Sequence, residues 1–217
     1  MSVRLAIFDC DGTLVDGQAA VCNAMDAAFA ECGLPLPDKH QVRRIVGLSL
    51  PQAIRILLPD ASDEQRGQID AAYRSAFRTA REAGAMSEPL YDGIRELLDA
   101  LRDAGWTLGV ATGKAQRGLD HCLATHSLTG HFATLQTADY HPSKPHPSMI
   151  DQALADTLAL AEDAVMIGDT IYDIQMALNA GVRAIGVDWG YHTPNELIAA
   201  GADAIATSPA HLLELLK

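Results

Sequence analysis

"FDCDGTLVD" (residues 8–16) follows the apolar run Val3–Ile7 and sets Asp9, Asp11 and Asp16 close together around a Gly-Thr pair. Crowded carboxylates resist ionising together unless a cation or a proton is supplied. A short apolar strand that ends in acids therefore reads in one of two ways. It is a polar turn with spare charges, or it is a strand end where acidic groups meet a counter-charge. The residues at the ends of the later strands decide between them.

Five further runs read as strands: "TLGVAT" (107–112), the weaker "FATLQTAD" (132–139), "AVMIGD" (164–169), "RAIGVDW" (183–189) and "DAIAT" (203–207). Helical patterns separate them. Residues 93–104 are the clearest, with Ile94, Leu97, Leu98 and Leu101 on one face, Asp92 as the expected N-cap and Gly105 as the stop. Short buried strands alternating with helices predict an α/β chain with an open parallel sheet. Residues 17–84 break the alternation. Val21, Met25, Ala28, Phe29 and Cys32 fall at helical spacing, as do Ile69, Tyr73, Ala76, Phe77 and Ala80. "SDEQ" (62–65) carries a capping-box pattern, and "GLPLPD" (33–38) and "VGLSLP" (46–51) read as turns. This block is too long for one crossover helix. The expected organisation is a sheet domain of residues 1–16 and 85–217 with an all-helical domain, 17–84, inserted in it.

Composition narrows the function. The 217 residues carry a net charge of −12, with 48% apolar and 20% charged residues. No basic stripe is available to neutralise a nucleic-acid backbone. An acidic chain that handles an anion needs a local positive device instead. Cys10, Cys22, Cys32 and Cys122 show no metal-ligand spacing, so reduced thiols in a cytoplasmic protein are expected. Neither a signal peptide nor a membrane-spanning stretch is expected. Monomer and homodimer are both compatible with the sequence.

Ligands of open parallel sheets bind at the carboxyl ends of the strands. The first strand ends at Asp9 and Asp11, the second at Thr112 with Gly113 and Lys114, and "AVMIGD" at Asp169 with Asp173 beyond. "SKPHP" (143–147) sets Lys144 in a proline-bounded loop, with His141 and His146 read as loop and helix-start residues. Carboxylates, a hydroxyl and an ammonium group thus converge on one edge, which predicts phosphoryl transfer. Asp9, ionised at neutral pH, attacks phosphorus without an activating base. Mg²⁺ offsets the repulsion, held by Asp9, Asp169 and the carbonyl of Asp11. Thr112 and the amides of Gly113 and Lys114, expected at a helix start, bind the transferring oxygens. Lys144 neutralises charge, and Asp11 serves as acid and then base. Arg43 and Arg44 are the candidates for a substrate's distal charge.

The four motifs "DCDGTLVD", "ATG", "SKPHP" and "GDTIYD", in that order, resemble the haloacid dehalogenase superfamily, in its phosphatase branch with a helical cap. "NAGVRAIGVDWGY" is most similar to its phosphoglycolate-phosphatase-like group. The resemblance implies a Rossmann-like core, an aspartyl-phosphate at Asp9, acid and base duty at Asp11, a stabilising Lys144, a metal ligand at Asp169 and a supporting acid at Asp173. Cys10 stands where a large apolar residue is usual. A small phosphorylated metabolite is the expected substrate. A phosphosugar mutase and a low-turnover phosphate-responsive binding protein remain open beside it.

Overall fold

The structure is a computed structural model that describes residues 2–217. Six strands, β1 (Leu5–Phe8), β2 (Thr107–Thr112), β3 (Thr134–Thr137), β4 (Ala164–Gly168), β5 (Arg183–Val187) and β6 (Ala204–Ala206), form one sheet in the order β3-β2-β1-β4-β5-β6. Every pairing is parallel. The fold is therefore α/β with a Rossmann-type strand order, as the alternation of apolar runs and helices predicts.

Strand β1 shows why an interior strand is apolar at every position. Ala6 and Phe8 enter the core on one face, and Leu5 and Ile7 enter the core on the other. The first core is closed by α5 (Ile94–Asp103), α6 (Gln116–Thr125) and α10 (Pro209–Leu215). The second is closed by α7 (Ser148–Thr157), α8 (Ile171–Asn179) and α9 (Pro194–Ala199). Chain order reverses between β1 and β4, so the crevice at the end of β1 is where a ligand site forms in such sheets.

Between β1 and α5 lie four helices, α1 (Gln18–Glu31), α2 (Lys39–Arg44), α3 (Leu50–Leu57) and α4 (Asp63–Glu82). They enclose a core of their own, with Met25, Ala28, Phe29, Val42, Ile54 and Ile69 buried in it. The expected capping box opens α4: Ser62 Oγ accepts from Gln65 N, and the Gln65 side chain accepts from Ser62 N. The chain's two passages between sheet and helices run side by side. Asp16 N donates to Pro89 O at 2.8 Å and Tyr91 N to Leu14 O at 3.1 Å.

Two local expectations are corrected. Asp92 does not cap α5; the N-cap is Gly93, in the left-handed region at φ 86°, where the chain turns after Tyr91 to bring Ile94 inward. Nor do Gly113 and Lys114 open a helix. The chain bends at Gly113 and Lys114, Ala115 is extended (ψ 151°), and α6 begins at Gln116. Among the described residues, no helix is long and apolar enough to cross a membrane.

Candidate active site

Asp9 follows the last residue of β1 and is held between strands by its amide, which donates to Ile167 O at 2.9 Å. Its carboxylate is fully buried. Oδ1 accepts from Cys10 N at 2.6 Å and lies 3.0 Å from Lys144 Nζ, while the buried Oδ2 has no hydrogen-bond partner. Lys144 Nζ also donates to Asp173 Oδ1 at 2.6 Å. The other oxygen of Asp173 accepts from the amide and hydroxyl of Thr170, the N-cap of α8, at 3.0 and 2.7 Å. Asp173 thus locks the lysine to the helix start.

Asp169 ends β4. Its Oδ1 accepts from Thr13 Oγ1 and its Oδ2 from Tyr191 N, both at 2.9 Å. The turn that permits this carries Gly12 at φ 88°, where a Cβ would collide with Asp169 Oδ2. The "DGT" step of the first motif is therefore a packing requirement as well as a turn. Oxygens of Asp9, Asp169 and Asp173 lie within 4.8 Å of one another. Three buried carboxylates face one ammonium group, so the cluster lacks positive charge. Burial raises Asp9 to about 7 against the opposing pull of Lys144, with Asp173 adding to the rise. Burial also pushes Asp169 well up, reinforced by Asp173 and Asp9. Burial works against the Lys144 ammonium, yet Asp173 and Asp9 more than offset it and hold its proton more tightly than usual. Three buried carboxylates set against a single ammonium group make a donor set that fits a divalent cation taking oxygen ligands.

Asp11 lies beside this cluster at the wall of a cavity of about 650 Å³ between the helical block and the strand ends. Lys114 Nζ is 3.0 Å from Asp11 Oδ1 and donates to Glu88 Oε1 at 2.8 Å, with both acids buried. Burial opposes the Lys114 ammonium, but Asp11 and Glu88 outweigh it and the shift is strongly upward. Thr112 and Gly113 line the same cavity. Thr112 Oγ1 accepts from Lys114 N at 3.2 Å, which leaves the Thr112 hydroxyl proton for another acceptor and occupies the Lys114 amide. Lys114 therefore enters through its ammonium group, as the holder of Asp11. Glu88 is a buried acid beside this site that the motifs do not mark. An acid in the "SEPL" stretch gives no sequence signal that it will meet Lys114 across the fold.

Gly113 seats the helical block. A Cβ there would stand 2.5 Å from the carbonyl oxygens of both Gly47 and Leu48, so the turn before α3 rests directly on this backbone. Ser49 N adds a bond to Ser143 Oγ at 2.9 Å, one residue before Lys144. Arg43 and Arg44 do not line the cavity. Arg44 instead clasps Glu196 at 2.7 and 2.9 Å, and its carbonyl accepts from Tyr172 Oη at 3.4 Å. The short helix α2 turns Val42 into the core and leaves this arginine at the seam with α9. His141 bonds to Gln136 of β3 and to Ser148 at the start of α7, and His146 accepts from Ser148 N; among the described residues neither histidine belongs to a metal-like set.

This fold and this cluster define a class. Residues 6–187 match the family described as haloacid dehalogenase-like hydrolase. The chain is 36% identical over 205 residues to the "Probable phosphatase IndB" of Dickeya dadantii (strain 3937), covering 93% of this chain and 88% of that protein. It is 30% identical over 223 residues to the "Phosphoglycolate phosphatase" of Vibrio vulnificus (strain YJ016), covering 99% and 96%. A haloacid dehalogenase-like family hydrolase, SP0104 from Streptococcus pneumoniae, superposes with a TM-score of 0.86 at 26% identity over 99% of both chains. The chain belongs to the haloacid dehalogenase-like hydrolases. It is an enzyme of that family, similar along nearly its whole length to proteins named as phosphatases.

Proposed function

We propose that this chain is an Mg²⁺-dependent phosphatase that hydrolyses a small phosphorylated metabolite through an aspartyl-phosphate on Asp9. The observation that carries this reading is the division of labour within one carboxylate. Asp9 Oδ1 is tied down by Cys10 N and Lys144, while the buried Oδ2 has no partner. Oδ2 is the nucleophile. It forms a bond to phosphorus as the bond to the leaving oxygen breaks, and Asp11 gives that oxygen its proton. Water then attacks phosphorus, Asp11 takes the water's proton, and phosphate leaves Asp9. The Thr112 hydroxyl donates to the transferring oxygens, and Lys144 balances charge on Asp9 and the phosphoryl group. Lys114 and Glu88 fix the direction of Asp11.

Asp9, Asp169 and the carbonyl of Asp11 would hold Mg²⁺, which supplies charge neutralisation and orientation when bound. Asp173 has both oxygens engaged, so it serves as the support of Lys144 rather than as a ligand. Residues 17–84 act as a cap over a core of residues 1–16 and 85–217. The paired passages at 14–16 and 89–91 are its hinge, and the Gly113 seat is its closed position. With the seat closed Asp9 is shielded from water, which suppresses side reactions.

The test is a screen of phosphorylated metabolites, phosphoglycolate and sugar phosphates included, with and without Mg²⁺. Phosphate release that requires the metal is expected. Release unaffected by chelator, or no release from any ester with Mg²⁺ present, contradicts the reading.

A further inference from the structure

We propose that the substrate is doubly anionic, and that Arg81, flanked by Arg78 and Arg117, binds its second anionic group within the cavity that Asp11 and Thr112 also line. This rests on the phosphatase reading for the first group, the scissile phosphate.

Arg74, Arg78 and Arg81 follow at intervals of four and three along α4, which sets them on one face. All three line the cavity, as does Arg117 from the first turn of α6. In a chain of net charge −12 this is a local concentration of guanidinium groups. The acids of the same wall are already engaged: Asp11 by Lys114, and Asp139 by the amide of Gln116 at 2.8 Å. Arg74 is taken by Asp70 one turn earlier. Among the described residues Arg78, Arg81 and Arg117 form no ion pair.

Arg81 is the centre of the group. Its Nε is buried and has no hydrogen-bond partner. Its Nη2 comes within 4.0 Å of where a Cβ on Gly118 would stand, beside the aliphatic stem of Lys114. The side chain thus crosses from the helical block to the sheet side. A buried guanidinium nitrogen without an acceptor is unfavourable, and a carboxylate or phosphate satisfies it through paired N–H bonds. Val21, Met25, Tyr73 and Phe77 add apolar surface to the same cavity, which suits the uncharged part of a ligand. A volume of about 650 Å³ lies within the range of roughly 300–1,000 Å³ usual for small-molecule sites and suits a ligand longer than a two-carbon acid.

The experiment compares kcat and KM of wild type, Arg81→Ala and Arg81→Lys on three probes: p-nitrophenyl phosphate, a series of ω-phosphocarboxylates and a series of bisphosphates. The last two distinguish a distal carboxylate from a distal phosphate. Thermal shifts of Asp9→Asn with the same compounds report binding without turnover. In Arg81→Ala, KM for the preferred doubly anionic series should rise about 10- to 100-fold more than KM for the aryl ester, the range for losing a hydrogen bond to a charged group. Arg81→Lys should recover part of that loss. Equal losses on all probes, or no preference for doubly anionic esters in a wild type that hydrolyses the aryl ester, overturn the distal site and leave the phosphatase reading standing. If wild type hydrolyses nothing while doubly anionic compounds still raise the melting temperature in an Arg81-dependent way, the phosphatase reading falls and the distal site stands. Absence of that thermal effect overturns the distal site.

Discussion

Lys144 carries the charge balance of the site, since it is the one ammonium group set against Asp9 and Asp173, with Asp169 adjacent. Lys144→Ala leaves buried carboxylates without their counter-charge and should cost about 3–5 kcal/mol in urea unfolding. Asp9→Asn removes one of those carboxylates at constant volume. It should unfold no earlier than wild type in chelator, yet turn over at least roughly 10⁴-fold more slowly. A stable Lys144→Ala or an active Asp9→Asn contradicts the assignment. The acids and Lys144 were legible in the sequence because each stands just past a strand end or in a proline-bounded loop. Glu88, the ammonium role of Lys114 and the clasp of Arg44 on Glu196 were not. Each depends on side chains meeting across the fold, and spacing along the chain carries no signal for that. Arg74, Arg78 and Arg81 were readable as a helical stripe, but only the fold turns that stripe toward a cavity.

Among the elements, β1, β2, β4 and β5 were readable because they lie inside the sheet, buried on both faces and largely apolar, while the edge strand β3 (Thr-Leu-Gln-Thr) gave the weakest signal. Element ends were less so, as Gly93 in place of Asp92 and the late start of α6 show. The seam between α3 and the end of β2 was also hidden, for a turn's resting place depends on backbone approach rather than on residue type. Gly113→Ala tests that seam, because its methyl would collide with the Gly47 and Leu48 carbonyls. The variant should fold, lose tenfold or more in kcat/KM if closure assembles the site, and exchange amide hydrogens faster at residues 46–49. Unchanged exchange together with unchanged kinetics would show that the contact does not matter.

The whole molecule joins two sheet-side cores and a separate helical core through two adjacent passages, with its acidic cluster buried where they meet. That burial has a pH signature. Asp9 is raised from 3.8 to about 7 and Asp169 is raised with it, both by burial first. Without metal, the folded protein keeps protons that the unfolded chain releases between about pH 4 and 7. Stability therefore falls as pH rises through that window. In chelator the melting temperature should drop from pH 5 to pH 7.5, and Mg²⁺ should restore it most at the upper end. A rise with pH in chelator contradicts the charge balance described. The covalent step at Asp9 is tested by acid-quenched single turnover of Asp11→Asn on an activated phosphate ester. With the base for water attack removed, one added phosphoryl group is expected, mapped by mass spectrometry to the peptide containing Asp9. Turnover of the ester with no adduct at any quench time, or an adduct on another residue, would contradict it.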